Sequence, residues 1–318
     1  MSRAAAVDAF LRAAGLGDAP RAPLAGDASA RRYLRVGGRV LMDAPPGAGS
    51  DVGPFLDVAE RLARAGLSVP RIEAADVGAG LVLMEDLGDD LLSRSPDPDR
   101  HAAAVDAALA LAVAPADGLP DHAAAMADAV DVVEEWYAPG AAGAALRDAV
   151  ALVLRDLPAG RALIHRDYHA ANLLWLPDRA GAARIGVLDF QDAGAGPVDY
   201  DLASLLRDVR RDVPACVARM AVERAATARG RPAEEVARGV AICAAQRNLR
   251  ILGVFARLCL RDGKTGYLEA LPRTWALLQD DLRHPALGPL RDVVWGALPP
   301  PDPARLTALA ARAGRGAP

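Results

Sequence analysis

Lysine is almost absent from this 318-residue chain: of 37 basic residues only Lys264 is a lysine, and arginine supplies the remainder. The 41 acidic residues leave a formal net charge of −4. A charge of that sign gives no general attraction to nucleic acid or to anionic membranes. Any cationic binding site must therefore be local, and arginine must form it.

Cysteines are few, and long apolar runs are lacking. The three cysteines, Cys216, Cys243 and Cys259, lie far apart without a Cys-x-x-Cys spacing, which predicts buried thiols and disfavours a zinc site or a disulfide framework. No apolar run reaches the roughly 18 residues of a membrane-spanning helix, and the N-terminus lacks the apolar segment of a signal peptide. These absences favour a cytoplasmic protein with no membrane partner.

The chain is long enough for two lobes, and its patterning changes near Gly88. Before that residue, Gly37-Gly38 predicts a hairpin and Phe55–Ala65 an amphipathic helix, typical of a helix packed on a small antiparallel sheet. Later segments are mostly Ala-rich and helical, among them 123–137. We therefore predict an α+β fold with an antiparallel-sheet lobe at 1–88, a larger, mainly helical lobe at 89–300 and a tail at 301–318 that carries one loosely attached helix.

The segment 162–192 places His165, Asp167, Asn172 and Asp189 between short runs of Leu, Ile and Val. Such apolar flanks predict short buried strands, which would hold the polar residues in a rigid frame. Phosphoryl transfer needs a carboxylate at the attacking hydroxyl and oxygen ligands for magnesium. Asp167 fits the first role, and Asn172 with Asp189 fits the second. A His-x-Asp sequence alone is usually a turn, but the joint spacing of these residues disfavours that alternative.

The stretch His165–Asn172, followed by Leu188–Asp192, resembles the catalytic core of the aminoglycoside phosphotransferase-like kinases, whose bilobal fold is related to that of protein kinases. Within that family, the chain looks most similar to bacterial anomeric kinases of N-acetylmuramate and N-acetylglucosamine, which serve peptidoglycan recycling. The wider similarity extends through Asp27–Tyr33, Leu83–Gly88, Tyr200–Leu202 and Arg247–Leu252.

The resemblance implies ATP and Mg²⁺ as cofactors and a small amino sugar, phosphorylated at its anomeric hydroxyl, as substrate. It implies a nucleotide-binding first lobe, a catalytic second lobe and no obligate protein partner. Asp167 would be the general base. The other implied ligands are Asn172 and Asp189 for magnesium, with main-chain groups of Glu85, Asp86 and Leu87 for adenine.

Three further residues are expected to support the site. The resemblance makes His165 a structural residue that positions its loop. Asp192 is either a second partner for the metal or the loop, or a solvated turn carboxylate. Asp201 precedes a helical run and is expected to cap that helix or to support the catalytic loop.

One element of protein-kinase-like sites is missing. Such sites place a lysine on the third strand to hold the nucleotide phosphates, and the matching strand, Val40–Pro45, has none. Arg32 is the nearest candidate, because guanidinium binds phosphate oxygens in a fixed two-pronged geometry. The alternative for Arg32 is an exposed strand arginine.

Arg247, Asn248 and Arg250 lie on a predicted long helix that would face the catalytic loop. Cationic and amide groups suit a neutral or acidic sugar and disfavour a polycationic aminoglycoside. Alternatively, one or both arginines pair with aspartates of the same lobe.

Two other functions are compatible with the sequence: a kinase of another small alcohol, such as choline or an aminoglycoside, or an inactive nucleotide-binding regulatory protein.

Overall fold

The structure is a computed structural model, which describes residues 2–24, 31–47, 51–95 and 97–317. Packing divides the chain into two compact units, and each unit takes two stretches of sequence. Unit 1 comprises 1–114 with 170–193, and unit 2 comprises 115–169 with 194–318. The unit boundaries differ from the predicted division at Gly88, because later segments of the chain pack with the sheet of unit 1.

Unit 1 is built on a five-stranded antiparallel sheet in the order β1-β2-β3-β5-β4. The predicted hairpin at Gly37-Gly38 is present, and both glycines have the positive φ angles, 55° and 73°, that a two-residue turn of this type requires. The elements of unit 1 are α1 (Arg3–Ala13), β1 (Arg21–Leu24), β2 (Arg32–Val36), β3 (Arg39–Asp43), α2 (Gly53–Arg64), β4 (Ile72–Asp76), β5 (Leu81–Glu85), α3 (Pro98–Leu111), β7 (Leu173–Trp175) and β8 (Ile185–Val187).

Helix α1 covers one face of this sheet. Val7 and Leu11 of the helix pack with Val36, Leu41 and Leu83 of the strands in one apolar cluster. Side chains alternate between the two faces of a strand, so neighbouring residues in β2 and β3 point to opposite sides of the sheet. This alternation decides which side chains of unit 1 share a face with the predicted metal ligands.

Unit 2 is mainly helical and is organised around the 30-residue helix α7 (Ala233–Asp262), which supplies about a third of the buried residues of its apolar core. The pattern predicts this helix correctly. The elements of unit 2 are α4 (Gly143–Leu154), β6 (Ala162–Ile164), β9 (Gly194–Gly196), α5 (Tyr200–Leu206), α6 (Ala215–Arg229), α7 (Ala233–Asp262), α8 (Leu271–Asp281), α9 (Gly288–Ala297) and α10 (Pro303–Ala311). Within the described ranges, no helix is both long and apolar enough to cross a membrane.

Two predictions about unit 2 are wrong. The segment 123–137 is not one α-helix but contains a short 3-10 turn and a π-helical turn, 133–137. It packs against α7 so closely that a Cβ added to Gly253 would lie 2.5 Å from the carbonyl oxygen of Val132.

The C-terminal tail is not loosely attached. Arg305 of α10 donates to the carbonyl oxygen of Tyr137 at 2.7 Å, and Leu309 is buried in the core of unit 2. The backbone N–H groups of Gly314 and Gly316 donate to carbonyl oxygens near the end of α7. The proline-rich stretch before α10 therefore turns the chain without ending the packed structure.

Candidate active site

The loop that follows β6 is held by one buried carboxylate. The backbone N–H of His165 donates to Oδ2 of Asp201 at 2.6 Å, and that of Arg166 donates to Oδ1 at 3.0 Å. The N–H of Asp167 donates to Nδ1 of His165 at 3.2 Å. Burial raises the pKa of Asp201 to about 6, although the imidazole of His165 and these amide groups favour its ionised form. The arrangement is what the predicted supporting roles of His165 and Asp201 require.

Asp167 is half-buried in this loop, among basic side chains of unit 2. Burial raises the pKa of Asp167, but the positive charges of Arg247 and Arg250 lower it, and the result lies below the ordinary value for an aspartate. The carboxylate is therefore ionised near neutral pH. An ionised carboxylate of this kind is able to accept a proton from a substrate hydroxyl.

His169 is a part of this environment that the sequence analysis does not assign to the site. Its backbone N–H donates to the carbonyl oxygen of Asp167 at 2.9 Å. Burial lowers the pKa of His169 to about 3, and the charges of Arg210 and Arg247 act in the same direction. The imidazole is therefore neutral. Its Nδ1 and the Nη1 of Arg247 are both buried without a hydrogen-bond partner among the described residues. Two unpartnered buried groups beside Asp167 fit a site that binds a polar ligand.

The two residues predicted to bind magnesium come together in unit 1. Asn172 directly precedes β7 and Asp189 lies two residues beyond β8, and these strands form an antiparallel pair. The N–H of Leu188 donates to the carbonyl oxygen of Asn172 at 2.9 Å, which fixes both residues at one end of the hairpin. An amide and a carboxylate are hard oxygen ligands, and Mg²⁺ needs only one or two protein carboxylates. The donor set therefore fits a magnesium ion.

Both parts of the motif contain strained backbone. Arg166 and Asp189 have φ angles of 75° and 59°, and they are the non-glycine residues with positive φ within the described ranges. Side chains other than glycine rarely adopt this conformation, and such strain concentrates at functional sites. At Asp189 the side chain also accepts a hydrogen bond from Nε2 of Gln191 at 2.9 Å.

The residues after Asp189 are anchored through an aromatic ring. Phe190 is fully buried and stacks on Phe55 of α2 with ring centroids 4.8 Å apart. Asp192, by contrast, is exposed. The stacked pair therefore attaches the Asp189 turn to α2, a connection that spacing in the sequence alone does not reveal.

The predicted adenine-binding segment follows β5. The N–H of Glu85 donates to the carbonyl oxygen of Arg71 at 2.9 Å, and its carboxylate accepts from Arg179 at 2.7 Å. The N–H of Glu85 is therefore already paired, and the other main-chain groups of Glu85, Asp86 and Leu87 stay the predicted adenine contacts. The carboxylate of Asp86 accepts from Arg35 at 2.6 Å, and this bond holds the pKa of Asp86 below its usual range.

The position of Arg32 does not support its predicted role as the phosphate-binding cation. Arg32 is exposed and lies directly opposite Asp43 in the β2–β3 pair, and opposite residues share a face. Asp43 is buried and accepts from Nε of Arg3, in α1, at 2.7 Å. Arg32 therefore lies on the α1 face. Tyr33 lies on the other face, and it is this residue that interacts electrostatically with Asp189.

Asn248 also lies away from its predicted position. It is fully buried, and its Nδ2 donates to Oδ2 of Asp281, in α8, at 3.0 Å. Arg207 donates to the other oxygen of the same carboxylate at 2.6 Å. This side of α7 faces α8, so Asn248 connects two helices of unit 2 and the predicted substrate contact is not supported. Of the three predicted acceptor-side residues, only Arg247 and Arg250 interact with Asp167.

Comparison with known proteins identifies the family. The model of the phosphotransferase enzyme family matches residues 21–240. The chain belongs to this family. The N-acetylmuramate/N-acetylglucosamine kinases of Caulobacter vibrioides and Pseudomonas aeruginosa are 36% and 35% identical to it, with 91% and 89% of this chain and 95% and 90% of those proteins covered.

A solved structure supports the fold. The crystal structure of a choline/ethanolamine kinase family protein from Mesorhizobium loti matches with a TM-score of 0.66 at 20% identity, covering 98% of this chain and all of that one. At this identity the likeness shows the fold alone. The predicted α+β protein-kinase-like fold is confirmed, and so is the predicted enzyme class: the protein is a phosphotransferase that acts on an alcohol group.

Proposed function

We propose that this phosphotransferase is an ATP- and magnesium-dependent kinase of N-acetylmuramate and N-acetylglucosamine, acting on the anomeric hydroxyl. The observation that carries the proposal is the ionised carboxylate of Asp167, held on a strained loop beside Arg247 and Arg250. The similarity to N-acetylmuramate/N-acetylglucosamine kinases supports these two sugars as the acceptors. Peptidoglycan recycling is the process in which such a kinase would serve.

In the proposed reaction, the hydroxyl oxygen of the sugar attacks the γ-phosphorus of ATP while its proton passes to Asp167. The bond from that phosphorus to the bridging oxygen breaks, and ADP leaves with the electron pair. Asn172 and Asp189 would hold the magnesium ion, which when bound neutralises charge on the phosphates. The role of the chain is chiefly to position these groups and to provide charge, because the transfer needs little covalent chemistry from the protein.

The charge around Asp167 favours an acidic or neutral acceptor. Arg210, Arg247 and Arg250 all carry positive charge in this part of unit 2. A polycationic aminoglycoside or choline would be repelled by these groups, whereas N-acetylmuramate carries a carboxylate that guanidinium binds well. This observation supports a sugar kinase over a kinase of a cationic alcohol.

The decisive experiment measures ADP release with ATP, Mg²⁺ and a panel of acceptors: N-acetylmuramate, N-acetylglucosamine, choline and kanamycin. We expect turnover with the two amino sugars and the release of a sugar 1-phosphate, identified by NMR coupling between phosphorus and the anomeric proton. Asp167→Asn should lower kcat by about a hundredfold or more, because the proton acceptor is lost. Binding of Mg-ATP to this variant should remain close to that of the wild type.

Three results would contradict the proposal. Turnover with kanamycin or choline but not with either amino sugar would show a different acceptor class. Wild-type turnover that survives Asp167→Asn would remove Asp167 as the base. Absence of turnover with all four acceptors, together with tight Mg-ATP binding, would favour the regulatory alternative.

A further inference from the structure

The sheet of unit 1 lacks a lysine, and one face of the sheet is closed by α1. On that face, Asp43 of the third strand is buried against Arg3, and Val7 and Leu11 of α1 pack with apolar residues of the strands. A cation that binds nucleotide phosphates must lie on the opposite face, which is the side of Tyr33 and Asp189.

Arg31 is a basic side chain placed on that side. Its guanidinium donates a hydrogen bond to the side chain of Tyr33, and the charge of Asp189 acts on the same tyrosine. Arg31 and Tyr33 are two residues apart, as residues that share a face of an extended chain are. Arg32, between them, is directed to the α1 face.

A second contact agrees with this placement. Nη2 of Arg31 lies 3.4 Å from the carbonyl oxygen of Asp51, just before α2 begins. The start of α2 is in turn close to the predicted metal ligands, because Phe55 of this helix stacks on Phe190, the neighbour of Asp189. Arg31 is thus connected to the Asp189 turn through both Tyr33 and the start of α2.

We propose that Arg31, oriented by Tyr33, binds the phosphates of the nucleotide and takes the place of the missing third-strand lysine. The inference rests on the proposed function, since it requires ATP as the donor. A guanidinium presents a planar two-pronged set of donors that matches phosphate oxygens, and it stays protonated at any working pH. Tyr33 would be a positioning residue, because its hydroxyl contacts the guanidinium.

The test compares two adjacent arginines that face opposite sides of the sheet: Arg31, just before β2, and Arg32, the first residue of β2. Isothermal titration of Mg-ATP and of adenosine would be carried out on the wild type, Arg31→Ala and Arg32→Ala. We expect Arg31→Ala to weaken Mg-ATP binding by about tenfold to a hundredfold, because charge-assisted hydrogen bonds are lost. Adenosine binding should be unchanged. Arg32→Ala should bind both ligands as the wild type does.

Two more variants keep the test informative if Arg31→Ala folds poorly. Arg31→Lys retains the charge without the fork and should recover part of the lost affinity for Mg-ATP. Tyr33→Phe removes only the hydroxyl that contacts the guanidinium and should weaken Mg-ATP by a few-fold while leaving adenosine unaffected. Thermal unfolding without ligand reports whether each variant is folded.

Several outcomes would overturn the inference. They are wild-type affinity of Arg31→Ala for Mg-ATP, an equal loss for adenosine, or a loss with Arg32→Ala instead. The outcomes are separable from those of the proposed function. A wild-type protein that phosphorylates amino sugars while Arg31→Ala binds Mg-ATP normally refutes only the role of Arg31. A wild-type protein that binds Mg-ATP but phosphorylates no amino sugar refutes only the sugar-kinase proposal.

Discussion

Arg247 contributes positive charge beside Asp167, and under the proposed function it would also contact the sugar. Only 2% of Arg247 is exposed, its Nη1 has no hydrogen-bond partner among the described residues, and its charge acts on both Asp167 and His169. A buried guanidinium nitrogen without a hydrogen-bond partner is unfavourable unless a ligand satisfies it. The carboxylate of N-acetylmuramate would do so, whereas N-acetylglucosamine lacks that group.

We therefore predict that Arg247→Gln affects the two sugars differently. The kcat/KM for N-acetylmuramate should fall by about tenfold to a hundredfold, as expected for the loss of a hydrogen bond between charged groups. The decrease for N-acetylglucosamine should be several-fold smaller. Steady-state kinetics with both sugars would measure the ratio, and Arg257→Gln, farther along α7, is the matched control.

Arg247→Gln should also change the dependence of kcat/KM on pH. Arg247 lowers the pKa of Asp167, so its removal should raise that pKa and move the acidic limb of the pH profile of kcat/KM to higher pH for both sugars. An unshifted limb would contradict the effect of Arg247 on the pKa of Asp167, and equal losses for the two sugars would contradict its contact with the sugar carboxylate. Both results together would show that Arg247 acts only through the stability of α7.

Sequence spacing can predict chemistry at single residues but not the direction of a side chain. Asp167, Asn172 and Asp189 could be singled out because apolar runs flank them and because phosphoryl transfer needs their oxygens. The sequence does not distinguish Arg31 from Arg32 as the phosphate-binding residue. Alternation shows that their side chains face opposite sides of the sheet, but only the packing of α1 shows which side is covered. For Asn248, a rotation of about 100° from Arg247 separates a substrate contact from a helix contact.

Among the helices and strands, α5 has a role larger than its seven residues suggest, because Asp201 in its first turn accepts the amides of His165 and Arg166. In Asp201→Asn an amide NH2 group replaces one of the two acceptor oxygens, so a buried N–H loses its partner and the loop carrying Asp167 loosens. We predict that kcat falls by about tenfold or more, while the KM values for ATP and sugar change by less than about twofold.

The control for this prediction lies in the same helix. Ser204 is fully buried and its hydroxyl has no hydrogen-bond partner among the described residues, so Ser204→Ala should keep the wild-type kcat. Kinetics and thermal unfolding of both variants would be compared. A folded Asp201→Asn with wild-type kcat, or one whose KM values rise with no change in kcat, would contradict the positioning role.

Periodicity alone predicts the regular elements well and the irregular ones poorly. The hairpin of β2 and β3, α2 and α7 follow from turn glycines and from apolar spacing. The segment 123–137 has helical composition, yet where it packs against α7 it forms a 3-10 turn and a π-helical turn in place of one α-helix. Helix α10 is short and follows several prolines. Its attachment depends on a hydrogen bond to Tyr137, a residue more than 160 positions earlier in the sequence, which local spacing does not reveal.

At the scale of the molecule, the α+β class could be predicted because patterning changes near Gly88 and because the central motif has a family resemblance. The composition of the two units could not. Each unit is assembled from two separate stretches, and the chain passes from one unit to the other at 114–115, 169–170 and 193–194. Local pattern contains no information on which distant segments pack together, so it predicts one division near Gly88 and not the return of 170–193 to unit 1.

The stability of the whole protein should depend on pH through Asp281. Burial raises the pKa of Asp281 to about 7, although Arg207 and Asn248 bind its oxygens and favour ionisation. A carboxyl whose pKa is higher in the folded state than in the unfolded state stabilises the fold when protonated. That contribution is complete below about pH 4 and is lost as pH rises towards 7. Each unit of pKa corresponds to about 1.4 kcal/mol.

Asp281→Asn removes this titration and keeps an amide that is able to hydrogen-bond to its neighbours. We predict that the free energy of unfolding of the variant, relative to the wild type, increases between pH 4 and pH 7 and is level above that range. Urea unfolding at pH 4, 5.5, 7 and 8 would measure the difference. Asp292→Asn, an exposed position on α9, should follow the wild type at each pH. A difference for Asp281→Asn that is constant with pH would show that Asp281 is already ionised in the folded protein, with Arg207 outweighing burial.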